Sequence, residues 1–511
     1  LGVYLQDEFN INPNFKLTYG IRGDVPTYLQ QPIANPAISA LAFPDEKGNM
    51  QHYSTGKWPN SSLLLSPRVG FRWKVPDEKG LVLRGGSGVF TGKIPFVFLT
   101  NMPSNSGVYQ NGAVLNSPAQ LAGMTFNPNP DAYLSKFPQT VTAKAPGSFV
   151  LIDPNFKFPQ VFRTNFGFDK QLGHGFVTSV DILYTKDLNA VKMRNVNLLA
   201  PTGTLTGADN RPYYPNKAQY VNPSVGSVII LENTKKGYSF ASTVQLAKSF
   251  SNGFYGSLAY TYTLATEISS NPGSQATSAW QSIINRGTPN DEELYNSAYS
   301  IPHRIVGNIS YRFEYANHLA STISLYYEGA SQGRLSYIIG GDLNQDGNNA
   351  SDLMYIYAKG SDVPFVPFLN KDGSVKYTVA QQQAAYDQFV ANSPYLSKHA
   401  GQYAERNSAL YPWYNRVDMR FLQDFYLKIG STKHTLEFSW DVINLPNLLS
   451  RNWGIHDLYT VNNPLTWKSN AGGSPTYTLA EYNSALVTQP FVKSVAATTT
   501  WGMQLGLRYM F

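Results

Sequence analysis

Residues 342–348 carry the most specific pattern for chemistry in the sequence, Asp-x-Asn-x-Asp-Gly-Asn. Oxygen-bearing side chains at alternate places, with glycine at the sixth, match the beginning of a calcium loop, because Ca²⁺ binds carboxylate, amide and carbonyl oxygens. The twelfth place should hold a bidentate carboxylate, but Leu353 stands there and Asp352 comes one residue early. The alternative is a turn whose side chains cap their own backbone. The candidate calcium loop is made by Asp342, Asn344, Asp346, Asn348 and Asp352.

The rest of the chain holds no comparable pattern for catalysis. The run Gly88–Lys93 is one residue short of a phosphate-binding loop, and Ile94 stands where Ser or Thr must hold magnesium. The seven histidines are dispersed, and no His-x-x-x-His or Glu-x-x-His spacing occurs. The absence of cysteine excludes disulfides, thiolate zinc sites and cysteine nucleophiles. We therefore predict that the protein is not an enzyme, with structural calcium as the one candidate cofactor.

Charged side chains share one face of each of two neighbouring predicted strands. Residues that are an even number of places apart point to the same side of a strand. Opposite charges on adjacent strands can pair, so we predict that these side chains face an interior. The alternative is a generic polar interior that keeps the wall wet. The charges are Arg416, Asp418, Arg420 and Asp424 in the first strand and Glu437 and Asp441 in the second.

Alternation of apolar and polar residues predicts long strands joined in pairs by tight turns. In residues 238–246, Tyr, Phe, Val and Leu oppose Ser, Ala, Thr and Gln, and Gly, Asn, Asp and Pro cluster at the turns, as hairpins require. We predict roughly thirteen strands in an up-and-down order. Their predicted bounds are Val3–Phe9, Phe15–Gly23, Pro67–Val75, Leu81–Gly92, Val161–Leu172, Phe176–Asp187, Gly237–Phe250, Phe254–Thr266, His303–Glu314, Leu319–Gly329, Trp413–Ile429, Lys433–Ile443 and Thr499–Phe511.

Strand length and loop asymmetry favour a membrane barrel over a soluble sandwich. Sandwich strands usually have about five or six residues, whereas these run to roughly ten or more, which suits a tilted strand crossing a bilayer. One end would carry only short turns, and the other the segments 24–65, 93–160, 188–236, 267–302, 330–412 and 446–498. The predicted fold class is all-β, a transmembrane antiparallel up-and-down β-barrel with long extracellular loops and short periplasmic turns.

Two local features belong to this prediction. Residues 379–390 read as a short helix in a long loop, with Thr378 as its N-cap. Aromatic residues near strand ends are expected at the membrane interfaces. These aromatic residues are Trp73, Phe90, Tyr184, Tyr262, Tyr327 and Trp413.

Composition agrees with a membrane barrel. Hydrophobic residues make up 42% of the 511 residues, charged residues only 14% and aromatic residues 14%, whereas a soluble surface is rich in Lys and Glu. The mean hydropathy is -0.27, and no apolar run approaches the roughly 20 residues of a membrane helix. The net charge of +7 is scattered along the chain, so we expect no nucleic-acid partner.

The last strand also alternates. Every second side chain from Trp501 to Phe511 is large and apolar, and glycine or polar residues fall between them up to Arg508. An alternating strand that ends on an aromatic residue resembles the signal that the bacterial barrel-assembly machinery reads. We predict this signal at Leu507, Tyr509 and Phe511.

Six segments, taken in their order and spacing, support a family resemblance. They are Ser66–Phe71, Leu83–Gly92, Leu231–Tyr238, Gly341–Gly347, Glu405–Asn407 with Pro412 and Trp413, and Asp441–Asn447. Together they resemble the C-terminal half of Oar-like TonB-dependent outer-membrane receptors of Bacteroidetes and myxobacteria, over nearly the whole chain. The resemblance implies a Gram-negative outer-membrane barrel of about 22 strands filled by an N-terminal plug. Residues 1–511 would form the C-terminal part of that barrel domain, and we expect the plug, the first strands and the TonB-binding segment to precede Leu1.

The first functional hypothesis that follows is an energy-coupled importer. Substrate would bind the outer loops, TonB would pull on the plug, and the six charges would face that plug; the substrate is unknown. The second hypothesis is an interaction platform or adhesin that works with surface lipoproteins or a secretion complex. The third is a passive porin. The expected partners are outer-membrane lipid, the barrel-assembly machinery, TonB and, for the second hypothesis, a surface lipoprotein.

Overall fold

The computed structural model describes residues 1–110, 115–137, 144–249, 252–349 and 351–511. Its largest element is a sheet whose main path holds thirteen strands, as the alternation predicts. The predicted strand end at Phe250 and the predicted turn residue Ser251 lie outside the described residues. The strands are β1 Gly2–Asn12, β2 Phe15–Asp24, β3 Leu64–Lys74, β4 Val82–Thr91, β5 Gln160–Gly173, β6 Phe176–Asp187, β7 Tyr238–Ser249, β8 Phe254–Glu267, β9 His303–Tyr315, β10 Leu319–Ser331, β11 Trp413–Ile429, β12 Thr432–Ile443 and β13 Gly502–Met510.

The strands follow one another in the sheet in the order of the chain. Each consecutive pair is antiparallel, so the predicted up-and-down order is confirmed. Strand lengths run from 9 residues in β13 to 17 in β11, which is enough for a tilted strand to cross a bilayer. A two-residue strand, Tyr295–Asn296, adds to the side of β8.

Tight turns join the strands at one end of the sheet. The turn between β7 and β8 needs Gly253, whose φ is +82°, because an added Cβ would run into the backbone carbonyl oxygen of Arg312. Between β9 and β10, Ala316 and Asn317 both have positive φ, at 52° and 60°, which reverses the chain within a few residues. The short turns therefore all lie at the same end of the strands.

The register of the sheet separates an apolar face from a polar face. One row across β13, β12, β11, β10, β9 and β8 consists of Leu505, Trp440, Phe421, Ile323, Tyr311 and Phe254. The adjacent row, on the opposite face, consists of Gln504, Asp441, Arg420, Ser324, Ser310 and Tyr255. Such alternation places one face against lipid and the other against a wet interior.

One predicted interface aromatic lies on the other face. Phe90 of β4 stands on the polar face, because its ring lies under the guanidinium groups of Arg68 at 5.5 Å and Arg163 at 6.0 Å. Cation–π contact with two arginines stabilises an aromatic ring among polar groups. The prediction that Phe90 belongs to a membrane-interface girdle is therefore wrong.

The long connections lie at the end opposite the tight turns and fold into a layer of their own, which we call the cap. The cap comprises residues 25–63, 92–159, 188–237, 268–302, 332–412 and 444–501 in their described parts. The largest fully buried side chains, such as Trp280, Tyr214, Tyr337, Tyr386 and Phe149, belong to the cap. They form three hydrophobic clusters, and each cluster joins several connections.

The cap contains all the described helices. The predicted helix is confirmed as Val379–Ala391, and Thr378 Oγ1 accepts a hydrogen bond from Gln381 N in a capping box. The others are Pro36–Ser39, Phe96–Ser104, Pro118–Leu121, Ala276–Gln281 and Leu445–Leu449, with 3₁₀ turns at Leu134–Lys136, Gly360–Asp362, Leu396–Lys398 and Ala471–Gly473.

Short strands complete the cap. They are Ala42–Pro44, Met50–His52, Phe149–Ile152, Ala190–Asn195, Gly203–Thr204, Pro212–Tyr213, Val228–Thr234, Arg334–Leu335, Ile339–Gly340, Phe368–Leu369, Val375–Tyr377, Ala409–Leu410, Asp457–Tyr459, Leu465–Ser469, Thr476–Leu479, Glu481–Tyr482, Ala485–Leu486 and Phe491–Lys493. Within the described ranges, no helix is both long enough and apolar enough to span a membrane.

Candidate functional site

The predicted calcium motif lies in the cap, in a buried segment that we call the acidic loop: residues 342–349 and 351–352. Its polar side chains are withdrawn from solvent, since Asn344 and Asp352 are 1% exposed and Asp346 and Asn348 are 3% exposed. Asp342 is partly buried. Because burial of a carboxylate without a partner is costly, the contacts of these groups decide what the loop can do.

The side chains of the acidic loop fold back onto their own backbone. Asp342 Oδ2 accepts a hydrogen bond from Gly347 N at 3.1 Å, and Asn344 Oδ1 accepts one from Asp346 N at 3.0 Å. Asp346 Oδ1 accepts one from Asn348 N at 2.8 Å. These bonds curl the chain around the carboxylates and leave the second oxygen of Asp342 for other partners.

Two buried atoms of the acidic loop have no hydrogen-bond partner. They are Asp342 Oδ1 and Asn348 Nδ2. Buried polar atoms are nearly always satisfied in folded proteins, because an unsatisfied one costs about 1–3 kcal/mol. Both atoms belong to one seven-residue motif, so this segment holds polar groups whose hydrogen-bonding capacity the protein itself does not satisfy.

Negative charge is under-compensated in the acidic loop. Burial, followed by the charges of Asp352 and Asp342, raises the pKa of Asp346 to about 8, against the lowering effect of the hydrogen bond from Asn348 N. Burial also raises the pKa of Asp342, against the lowering effect of backbone N–H donors. A cation near these groups would favour their ionised forms.

Asp352 plays a different part from the other carboxylates. Its Oδ2 accepts hydrogen bonds from Leu343 N at 2.9 Å and Asn344 N at 3.4 Å, and its Oδ1 pairs with Arg211 Nη1 at 3.2 Å. Arg211 is fully buried and also pairs with Asp209 Oδ1 at 2.9 Å. Asp352 therefore anchors the loop to the segment around Arg211.

Three other connections of the cap hold the acidic loop in place. Tyr214 N donates to Asn344 O at 2.8 Å, and Asn344 Nδ2 donates to Gly287 O at 2.5 Å. Asn470 Nδ2 donates to Leu343 O at 2.6 Å. The loop is therefore a junction at which four connections of the cap meet.

Among the described residues, no three His, Cys, Asp or Glu side chains are grouped so that they could hold a metal ion. In the acidic loop this agrees with the pairing of Asp352 and Arg211, which leaves Asp342 and Asp346 as the carboxylates of the motif. Any cation here would depend on amide and backbone carbonyl oxygens in addition to these two groups.

The six predicted strand charges lie on the polar face. Arg416 and Asp418 pair along β11, at 2.8 Å for both hydrogen bonds. Arg420 pairs with Asp441 across to β12. The structure therefore brings together four of the six as two ion pairs.

The other two strand charges have partners that the sequence did not suggest. Asp424 Oδ2 accepts from Arg312 Nη1 of β9 at 2.8 Å, and Glu437 pairs with Arg508 of β13 at 3.8 Å. Farther along the polar face, Arg84 binds both Asp169 and Asp181. These charges occur at even spacing in their own strands, so the same alternation that identified the six would have found them.

A depression of about 550 Å³ opens on the polar face of the sheet. Its charged lining is made by the two ion pairs of β11 and β12, and Tyr326 and Gln504 add polar groups. In this depression the polar face offers charge, hydrogen bonds and space together.

Most aromatic residues of the cap pack on one another. Tyr357 is 4% exposed and Phe365 8% exposed, both in a hydrophobic cluster, and Tyr355 makes edge contacts with Tyr357 and Tyr403. Trp453 remains 58% exposed. Packing of the loops therefore accounts for most of these rings.

The residues of the predicted assembly signal lie along the apolar side of the last strand. Leu507 and Tyr509 are register partners of Phe438 and Leu436 on β12, and the rings of Tyr509 and Phe511 stack at 5.7 Å. All three side chains are exposed. Their recognition by the assembly machinery stays a prediction.

Comparison with known proteins gives one family match. A family described as "Outer membrane beta barrel domain" matches residues 1–456. No curated protein matches the chain significantly.

Solved structures to which the chain is similar include the ferric enterobactin receptor PfeA from Pseudomonas aeruginosa, as a mutant, at 8% identity and a TM-score of 0.41. They also include the copper transporter OprC, at 8% and 0.41, and the outer membrane transporter YddB from Escherichia coli, at 10% and 0.39. These comparisons cover 99%, 100% and 99% of this chain and 44%, 48% and 54% of the three solved chains. The chain thus spans about half the length of the solved structures that it matches.

Proposed function

This chain belongs to the outer membrane beta barrel domain family, and from that premise we propose that it forms part of an Oar-like, TonB-dependent importer. The chain lies in the outer membrane and crosses it repeatedly as antiparallel strands. The location and the fold follow from membership of the family. The transport function is what we propose in addition.

The observation that carries the proposal is the polar face of the sheet. Ion pairs recur on it from Arg84 on β4 to Glu437 on β12, and it carries a charged depression lined by residues of β8 to β13. Lipid would penalise such a face by several kcal/mol per charge, whereas a water-filled interior accepts it. A polar, charge-lined interior is what a solute that crosses the outer membrane requires.

The folded cap supports import rather than simple leakage. Its hydrophobic clusters tie the long connections together, so the mouth of the barrel is a defined surface that can select a solute. In the proposal, substrate binds this surface, and TonB acts on a plug that fills a barrel of about 22 strands, with this chain as the C-terminal part. The substrate class is left open, and no catalytic step is proposed.

The cap also favours a second candidate function, a platform for a surface lipoprotein or another partner. Exposed apolar side chains remain on it, including Tyr299 at 77%, Trp453 at 58% and Leu458 at 51% exposure. Exposed aromatic groups are common at protein interfaces. A platform would work without energy coupling.

A depletion experiment separates these functions. Wild-type cells, cells that lack this protein and cells that lack TonB are grown in one complex medium, and the solutes that each strain consumes are identified by mass spectrometry. Importer function predicts at least one solute whose uptake requires both proteins. Uptake that needs this protein but persists without TonB would reject the importer and favour a porin, which steady conductance in planar bilayers would then establish.

A third outcome of this experiment would favour the platform function. If no solute depends on the protein, and a stoichiometric partner is co-purified with it from outer membranes, the importer proposal fails. An intact mass and an N-terminal peptide map of the native protein test the expected plug separately.

A further inference from the structure

The acidic loop has the composition of a site for a hard cation. Its side-chain donors are the carboxylates of Asp342 and Asp346 and the amides of Asn344 and Asn348, without histidine or cysteine. Oxygen donors of this kind suit Ca²⁺, which accepts six to eight of them in flexible geometry. Zinc and the softer transition metals would require nitrogen or sulfur ligands.

A separate observation points to a missing ligand. Asp342 Oδ1 is buried without a partner, and so is the amide nitrogen of Asn348, a residue that is 3% exposed. A half-turn of that amide exchanges its nitrogen and oxygen at almost no steric cost, so the orphaned position can present Oδ1. One carboxylate oxygen and one amide position of the same motif are thus without a hydrogen-bond partner in the protein.

The protein supplies little positive charge to Asp342 and Asp346. In the part of the chain that the structure describes, neither forms an ion pair with Lys, Arg or His; the charge of Lys217 only lowers the pKa of Asp342 against the larger effect of burial. Arg211, the buried cation nearby, is already shared between Asp209 and Asp352. A buried and a partly buried carboxylate that lack a counter-charge are an arrangement that a divalent cation neutralises.

We propose that the acidic loop binds one Ca²⁺ through Asp342, Asn344, Asp346 and Asn348. Asp352 is a positioning residue for this site, because its carboxylate holds the backbone N–H groups of Leu343 and Asn344 and joins them to Arg211. The proposal is independent of what the protein transports.

Calcium at this place would stabilise the cap. The loop bonds directly to Tyr214, Gly287 and Asn470, which belong to three other connections. A ligand that binds only the folded loop raises the stability of everything that must fold to form it. The cap should therefore melt at a higher temperature with calcium than with a chelator.

The experiment uses the full native protein purified in detergent, with Ca²⁺, Mg²⁺ or EGTA. Titration calorimetry measures binding, and differential scanning fluorimetry measures the melting temperature of the cap. We expect saturable Ca²⁺ binding near one per chain, a higher melting temperature with Ca²⁺, and a much smaller effect of Mg²⁺, which demands stricter octahedral geometry. Negligible heat and an unchanged melting temperature in wild type would overturn the proposal.

Three variants locate the site. Asp342→Asn and Asp346→Asn preserve shape and each should weaken Ca²⁺ binding by at least about tenfold, since even the loss of a residue behind a ligand costs tenfold or more. Asp372→Asn changes an exposed Asp-Gly turn in the same connection, where Asp372 Oδ1 accepts from Ser374 N, and should bind as wild type does. Equal affinity in all three variants would overturn the assignment.

A luminescence measurement on wild type does not depend on how the variants fold. The ring of Trp467 lies beside Gly341, at 3.4 Å from the position of an added Cβ, so a lanthanide in the loop sits near a tryptophan. Tb³⁺ should give emission on tryptophan excitation that Ca²⁺ displaces and Mg²⁺ does not, and Trp467→Phe should weaken the emission. Emission that Trp467→Phe leaves unchanged would place the bound ion elsewhere and reject the site.

Discussion

Arg420 on β11 and Asp441 on β12 are direct register partners, and their side chains form a two-pronged ion pair across the polar face. Arg420 Nε lies 2.5 Å from Asp441 Oδ1, and Nη2 lies 2.9 Å from Oδ2. The pair borders the charged depression of the polar face. Its two hydrogen bonds fix the direction of both charges toward the interior that we propose for solute passage.

Loss of this pair should change function more than stability. The Arg420 side chain is 58% exposed, so Arg420→Ala should lower the free energy of unfolding by less than about 1 kcal/mol. Chemical unfolding in detergent measures this change. If a transported solute is identified, its uptake should fall in the same variant, and a loss of several kcal/mol would instead show a structural role.

A matched pair of arginine substitutions tests which face of the sheet meets lipid. Ile309 and Asn308 are adjacent on β9 and both exposed, but they lie on the apolar and polar faces respectively. Ile309→Arg should destabilise the protein by about 2–4 kcal/mol if it lies near the bilayer midplane, and Asn308→Arg should have little effect. Unfolding of both variants in lipid vesicles provides the comparison. Equal costs would contradict the assignment of faces.

The sheet could be predicted from the sequence because the residue patterns that specify it lie within short segments of the chain. Alternation with period two and clusters of Gly, Asn and Pro appear within each hairpin, and they led to thirteen strands in the correct order. Phe90 shows the limit of this local pattern. Its position near a strand end suggested a lipid interface, and its two arginine partners come from other strands.

The cap could not be predicted, because its contacts join distant parts of the chain. Arg211 and Asp352 are 141 residues apart, and no periodic pattern connects them. The calcium motif was visible as a run of residues, but the role of Asp352 depended on Arg211. Helix Phe96–Ser104 could not be predicted either. Its N-cap residue is Pro95, whereas the sequence signal for a helix start is Ser, Thr, Asp or Asn at that position.

Acid should weaken the contact between the cap and the sheet at His456. Its ring lies 4.0 Å from that of Tyr414 at the start of β11. Burial and then the charge of Arg416 lower the pKa of His456, against the opposing charges of Asp457 and Glu328.

The sign of the effect follows from the direction of the shift. The folded protein favours the neutral ring, so stability is complete above the unfolded pKa of about 6.5 and falls as the pH drops through the lower, folded value. Melting temperatures of wild type and His456→Gln between neutral and mildly acidic pH measure this contribution. The variant should lose less stability on acidification, and identical pH profiles would exclude His456 as a contributor.

The largest effect of a single substitution in the cap should come from Arg211→Met. Arg211 is fully buried between Asp209 and Asp352, so its removal leaves two buried carboxylates without a counter-charge. Breaking such a pair costs about 3–5 kcal/mol, mostly because the remaining charge is uncompensated. We expect a lower melting temperature of the cap and faster proteolysis of its loops, with the strands unaffected.

Arg286→Met is the matched control for that substitution. The guanidinium groups of Arg286 and Arg211 both lie over the ring of Tyr403, at 4.8 Å and 5.5 Å, but Arg286 is exposed and should cost at most about 1 kcal/mol. Adding Asp209→Asn and Asp352→Asn to Arg211→Met should recover part of the loss, because neutral amides no longer need a counter-charge. If the triple variant is less stable than Arg211→Met, lost hydrogen bonds rather than unpaired charge explain the effect, and the ion network is not what holds the acidic loop to its neighbour.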